Sequence, residues 1–180
     1  MKNVFFITCI SCLVFSCSVK KAAVAGAPVP VKAYEVSYDN AKVLKGLLHR
    51  ADIEADTSFK WFKQNMQYGT ADMAAIDAFK KNGSKFNVVV FFGTWCEDSQ
   101  NLVPVFYRLV DKSGYPDANI TLIGVDRAKT TLYNLHKSFN ITNVPTFIVM
   151  KDGKEIGRVV EYGKYGQVDK ELGEIVAGIQ

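Results

Sequence analysis

Cys96 is the residue of this sequence best placed to do covalent chemistry. It lies in Trp95-Cys96-Glu97-Asp98-Ser99, between an apolar run at Phe86–Phe92 and a helical pattern from Asp98 to Lys112. A cysteine at a helix N-terminus faces free backbone N–H groups and the positive end of the helix dipole, and both favour the thiolate. Glu97 and Asp98 oppose it. Each carboxylate at roughly 7 Å and an effective dielectric of about 40 disfavours the anion by about 1 kcal/mol. The helix terminus returns ~0.3–2 kcal/mol, leaving a mild nucleophile. A buried, inert cysteine is the other reading, and spacing alone leaves both open. His49 and His136 are single and distant from Cys96 in sequence, so they read as structural or surface residues. No Cys/His cluster has zinc or haem spacing, so neither a metal nor another cofactor is expected.

The other three cysteines are Cys9, Cys12 and Cys17. They fall in a segment that starts at Lys2 and runs apolar from Val4 to Phe15, too short for a membrane span of about 20 residues but the size of a signal-peptide core. It ends in Val14-Phe15-Ser16-Cys17, which resembles a bacterial lipobox, with Phe15 larger than the usual residue there. The expectation is a signal peptide at 1–16 and lipidation of Cys17. A small-residue, proline-containing linker at 17–33 and a domain at 34–180 follow. An ordinary secretion signal with an incidental cysteine is the alternative. Processing before Cys17 would remove Cys9 and Cys12, and acylation would consume Cys17, leaving Cys96 as the one free thiol. The expected location is the bacterial cell envelope, lipid-anchored and facing the periplasm. Ser18, rather than Asp, after the cysteine points to the outer membrane by resemblance to lipoprotein sorting rules.

The domain alternates in pattern. Asp39 or Asn40 is expected to cap a helix carrying Val43, Leu44, Leu47 and Leu48 on one face. Thr70 is expected to cap another, with Met73, Ile76 and Phe79 inward and Gly83 as its stop. Phe86–Phe92 reads as a strand buried on both faces. The helix from Asp98 to Lys112 turns Leu102, Phe106, Leu109 and Val110 to the core and ends at Gly114 and Pro116. A second buried strand at Ile120–Val125, a short helix at Thr131–Ser138 and a third strand at Thr146–Met150 follow. Asp152-Gly153 is a hairpin signal leading to Ile156–Val160, and Val168–Ile179 closes the chain as a helix. This order implies right-handed crossovers between parallel strands, then one hairpin.

Four separated features resemble the thioredoxin family. Trp95-Cys96 follows a Val/Phe strand, as that family's active-site Trp-Cys does. Pro104 stands where the family kinks its long helix. Val144-Pro145-Thr146 matches its cis-proline loop, and Lys151-Asp152-Gly153-Lys154 matches its last hairpin. The match covers roughly 85–179, and 34–83 looks like the N-terminal extension of larger secreted members. The resemblance implies an α/β thioredoxin-like fold, a central mixed sheet flanked by helices. It implies that Cys96 and Ser99 are the catalytic pair of positions, with Ser99 donating a hydrogen bond to the thiolate. Trp95, Val144, Pro145 and Thr146 would form the substrate-binding surface, Val144 pairing with an extended substrate. The departures matter as much. The family's second cysteine is Ser99, its buried acid is Val90, and its lysine on the next strand falls on Leu122. Dithiol reduction is therefore not expected.

Composition narrows the partners. The net charge is +4 and the basic residues are scattered, whereas nucleic-acid binding needs a basic stripe with interleaved aromatics. The expected partners are cysteine-containing proteins or small thiols, with the membrane reached through the N-terminal lipid. The expected activity is monothiol thiol–disulfide exchange through Cys96. The alternative is a redox-inactive module that keeps the peptide-binding groove.

Overall fold

The computed structural model describes residues 32–36 and 40–180. The signal peptide, Cys17 and nearly all of the linker lie outside the described residues, as does Asp39. Among the described residues the sheet has six strands, β1 (Lys32–Val36), β2 (Lys42–Leu48), β3 (Asn87–Phe92), β4 (Ile120–Gly124), β5 (Thr146–Lys151) and β6 (Lys154–Val160), in the spatial order β1-β2-β4-β3-β5-β6. Strand β1 is Lys32–Val36, so it begins inside the stretch read as linker.

Residues Lys42–Leu48 form strand β2, not the expected helix. Val43, Leu44, Leu47 and Leu48 do fit a helical spacing, but the same residues meet two sheet partners. β1 pairs along one side of β2. On the other side Gly46, Leu47 and Leu48 pair antiparallel with Gly124, Ile123 and Leu122. Gly46, at φ 100°, would cost a helix about 1 kcal/mol and is free to adopt this bend. The approach to the next strand is close. A Cβ on Gly124 would sit 2.4 Å from the Leu44 carbonyl oxygen.

Helix α1 (Arg50–Glu54), a 3-10 turn at Thr57–Phe59 and helix α2 (Lys60–Asn65) complete the extension. Helix α3 runs Met73–Asn82. Asp72, not Thr70, caps it, accepting from Ala75 N–H at 2.8 Å, which satisfies one of the orphan donors of the first turn. That start turns Met73 out to solvent, 70% exposed, while Ile76 and Phe79 are buried as expected.

Strand β3 (Asn87–Phe92) has Val88 to Phe92 buried. Helix α4 (Glu97–Ser113) carries the chain over the sheet to β4 (Ile120–Gly124), parallel to β3. Gly114, in the left-handed region at φ 69°, ends the helix. The third expected strand, β5 (Thr146–Lys151), runs antiparallel to β3, so β3–β4 is the one parallel pair among the described strands. The connection explains this. Helix α5 (Leu135–Ser138) has four residues, or about 6 Å, too short to return the chain along a strand. Left-handed Tyr133 and Asn134 break it from the turn before it. The chain stays at one end of the sheet and β5 starts beside the end of β3. The hairpin to β6 (Lys154–Val160) turns on Asp152 and Gly153, both at positive φ, as a two-residue primed turn requires. Helix α6 (Val168–Ala177) follows.

Among the described residues, two apolar clusters fill the faces of the sheet. The larger joins Val88, Val90 and Phe92 to Leu102, Phe106 and Leu109 of α4 and to residues of α2, α3 and α6. The smaller holds Phe91, Ile123, Val144 and Ile148, with Trp95, Cys96 and Phe139 packed against it.

Candidate functional site

The end of β3 delivers Gly93-Thr94-Trp95 to the first turn of α4, and Cys96 is that helix's N-cap residue. Its backbone is extended (φ −90°, ψ 123°), its N–H donates to Gly93 C=O at 3.0 Å and its carbonyl accepts from Gln100 N–H at 2.9 Å. The thiol does not cap the helix. Its Sγ donates to the Val144 carbonyl at 3.3 Å, and the Val144–Pro145 bond that follows is cis. Cys96 is half-buried, so an incoming sulfur has access from one side.

Trp95 is fixed from two directions. Its Nε1–H donates to Val125 C=O at 3.0 Å, and the Arg127 guanidinium lies over its ring at 5.3 Å. Gly93 makes room for that ring, since a Cβ there would stand 2.7 Å from Trp95 Cε2. Val144 and Pro145 are buried beside the thiol. Thr146, also buried, sends its hydroxyl to Asn143 C=O at 2.7 Å and so closes the loop that carries Val144. The far side of the loop is held by Glu161 N–H, which donates to Pro145 C=O at 2.7 Å. The structure thus brings Trp95, Cys96, Val144 and Pro145 together at the C-terminal end of β3.

Ser99 stands one turn after Cys96. It is fully buried, and its hydroxyl accepts from Gly93 N–H at 3.2 Å. The expected hydrogen bond to the sulfur is not among the contacts of either side chain. Ser99 ties the helix to the end of β3. Glu97 and Asp98 occupy the first turn of α4, where carboxylates suit the helix dipole, Glu97 exposed and Asp98 partly so. Val90 and Leu122 are register partners across the parallel β3–β4 pair, and both are buried in the larger cluster. Phe147 lies opposite Val90 on the other side. The layer beneath Cys96 therefore holds no group at these positions that could carry a proton.

Several residues that shape the site had no local signal. Thr94 is buried, accepts from Leu44 N–H at 3.2 Å and donates to Lys42 C=O at 3.1 Å, so it clamps β2 to the site loop. Gln100 Nε2 donates to Thr94 C=O at 2.9 Å. Pro104 in α4 has no N–H for the Gln100 carbonyl four residues back. Asn65 of α2 supplies the missing donor, Nδ2 to Gln100 C=O at 2.9 Å. Lys45 pairs with Asp126, the residue before Arg127. Burial pushes the Asp126 carboxyl up, but the hydrogen bonds from Lys45 and Thr130 outweigh it and hold the group below the ordinary range. Arg127 had one usable signal. It follows a strand parallel to and beside β3, and loops at the C-terminal ends of such strands converge on one crevice. His49 and His136 lie outside this group. His49 precedes α1, and His136 Nδ1 accepts from Thr131 N–H at 3.2 Å. Among the described residues, no three His, Cys, Asp or Glu side chains cluster to hold a metal.

This fold and loop arrangement define a thioredoxin-fold protein, and comparison with known proteins agrees. The Thioredoxin family matches residues 71–173, more than half of the chain, and the chain belongs to that family. It is 31% identical over 97 residues to Thioredoxin H2 of Arabidopsis thaliana, covering 54% of this chain and 68% of that protein. It is 33% identical over 94 residues to the Thioredoxin of Staphylococcus saprophyticus, covering 52% of this chain and 81% of that one. Among solved structures, the reduced thioredoxin pre-protein of Schistosoma mansoni is 29% identical, covering 59% of this chain and 94% of that one, with a TM-score of 0.39.

Proposed function

We propose that this protein exchanges thiols and disulfides through Cys96 by a monothiol route. The observation that carries the reading is the placement of Cys96: a half-buried sulfur at the N-terminus of a 17-residue helix, against the Val144 carbonyl. The thiolate attacks one sulfur of a partner's disulfide. A Cys96–partner disulfide forms, the original S–S bond breaks, and the second partner sulfur leaves as a thiolate. Ser99 holds the position from which an internal thiol would resolve this product, so an external thiolate must attack it. The partners are cysteine-containing proteins or small thiols.

The test is reaction with dithionitrobenzoate. Cys96 is expected to react faster in the folded protein than in a denatured control at the same pH, to give a stable adduct, and to show no insulin reduction. Cys96→Ser should abolish adduct formation. Reaction no faster than in the denatured control would leave the redox-inactive binding module as the better reading.

The location belongs to the same proposal. Val14-Phe15-Ser16-Cys17 supports removal of residues 1–16, acylation of Cys17 and retention at the cell envelope, facing the periplasm. Intact mass spectrometry of the exported protein should find lipid on Cys17, and Cys17→Ala should leave the protein soluble or unprocessed. An unmodified Cys17 would overturn the anchor.

A further inference from the structure

A cleft of about 350 Å³ opens beside Trp95, between the extension and the first turn of α4. Its volume falls at the lower end of the range for small-molecule sites, too small for a folded partner and right for a short peptide arm. Lys42 and Arg127 are the charged residues of its described lining, and both are cations. Lys42 is paired with Asp56, and Arg127 lies over Trp95, the residue next to Cys96. Ser58 and Gln100 contribute side chains, and Trp61 stands in the same wall. The buried Nε1–H of Trp61 has no acceptor within the protein, which is rare for a buried donor. Trp95 directly precedes Cys96 and Gln100 lies one turn beyond it on α4, so the lining flanks Cys96 along the chain on both sides.

We infer that this cleft binds the carboxylate-bearing arm of a small anionic thiol while that thiol is joined to Cys96. The inference rests on the exchange reaction proposed above and narrows its partner to low-molecular-weight thiols carrying carboxylates. With the symmetrical disulfide of such a thiol, Cys96 takes one half as a mixed disulfide and the other half leaves as a thiolate. A second anionic thiolate then attacks the mixed disulfide, regenerating the free disulfide and the Cys96 thiolate. Glu97 and Asp98, in the first turn of α4 after Cys96, repel the same charge, so discrimination depends on the arm entering the cleft.

The test compares three disulfides of different charge on the full exported protein: glutathione disulfide (anionic), hydroxyethyl disulfide (neutral) and cystamine (cationic). Glutathione disulfide is expected to react fastest. Arg127→Gln removes one charge roughly 7 Å from the arm, which at an effective dielectric of about 40 lowers the glutathione-to-hydroxyethyl rate ratio about sevenfold. Arg127→Lys should restore most of the ratio. Trp61→Phe, which removes the N–H and keeps the ring packing, should lower it roughly two- to fivefold. A ratio unmoved by Arg127→Gln, or cystamine reacting as fast as glutathione disulfide, overturns the inference. If Cys96 proves inert towards all three, the exchange reading fails and the cleft is still measurable. Cys96→Ser protein should then bind reduced glutathione with a change in tryptophan fluorescence that Arg127→Gln weakens. Absence of that binding overturns the cleft independently.

Discussion

Replacing Ser99 by cysteine tests the geometry of the site and the reason for its missing chemistry together. Residues 96 and 99 are one helical turn apart, and helix geometry puts Cα atoms three residues apart at about 5 Å, inside the ~4.4–6.8 Å that a disulfide spans. In the reduced variant the buried Gly93 N–H, now held by the Ser99 hydroxyl at 3.2 Å, faces a weaker sulfur acceptor, at a cost of about 1–3 kcal/mol. Oxidation closes a ring of four residues. The chain-entropy relation gives about 2 kcal/mol for a ring of that size, enough to offset most of the loss. At ~2–4 °C per kcal/mol for a domain of this length, the oxidised variant should melt about 4–8 °C above its reduced form. Residues 18–180 of the wild-type sequence, in which Cys96 is the one thiol, should show no such dependence. Calorimetry with and without reductant reads the difference, and mass spectrometry reads the loss of two hydrogens. Insulin reduction should appear but stay slow, because Val90 and Leu122 are buried apolar neighbours that cannot relay a proton. A variant that fails to lose two hydrogens under oxidant, or whose melting ignores reductant, would refute the placement of Ser99 at bridging distance.

Further perturbations follow from single contacts. Thr94→Val leaves Leu44 N–H and Lys42 C=O without their partner; chemical denaturation should show a loss of about 2–4 kcal/mol, and wild-type stability would mean that the clamp is idle. Asn65→Ala exposes the orphan Gln100 carbonyl and should cost about 1–3 kcal/mol, while Asn65→Ala combined with Pro104→Ala should recover part of it, since alanine returns the helix's own N–H. Acid should loosen the extension first: the Lys42 hydrogen bond, then that of Ser58, lowers Asp56 from 3.8 to about 2. Its folded value lies below its unfolded one, so its stabilisation is full above about 4 and fades as pH falls towards 2. Hydrogen exchange in β2 should rise across that interval, and Asp56→Asn should flatten the dependence.

The central elements were legible because local chemistry and tertiary demand agreed. Val88 to Phe92 is apolar without interruption and occupies a strand buried on both faces. The helix of Cys96 shows its core face at Leu102, Phe106 and Leu109, and its stop at Gly114. The extension was misread where they disagreed. The spacing of Val43, Leu44, Leu47 and Leu48 suits a helix, and the open edge of β4 decides for a strand. Asp72 lies two residues beyond Thr70, and choosing the wrong cap turned Met73 inward. The direction of β5 is not legible because the pattern at Thr131–Ser138 reads as a crossover helix, and only Leu135–Ser138 is α-helical. At the site, Trp95, Cys96 and the Val144–Pro145 loop were found by their resemblance to a family. Thr94, Asn65 and Arg127 act through partners about 30–50 residues away, and no window along the chain contains both ends of such a contact. The hydroxyl of Ser99 serves Gly93 N–H, a contact with no signature in the sequence.

The seam between β2 and β4 sets an order of assembly during synthesis. Gly46 emerges 78 residues before its partner Gly124 (124 − 46), a delay of roughly 4–16 seconds at about 5–20 residues per second. The β1–β2 hairpin can form at once, but its second edge stays open until β4 exists. Thr94, Trp95 and Arg127 take their final neighbours only when that edge closes. The wall beside Trp95 is therefore completed only after β4 has emerged. A nascent chain halted between β3 and β4 would carry a thiol without a cleft, open to any disulfide it meets.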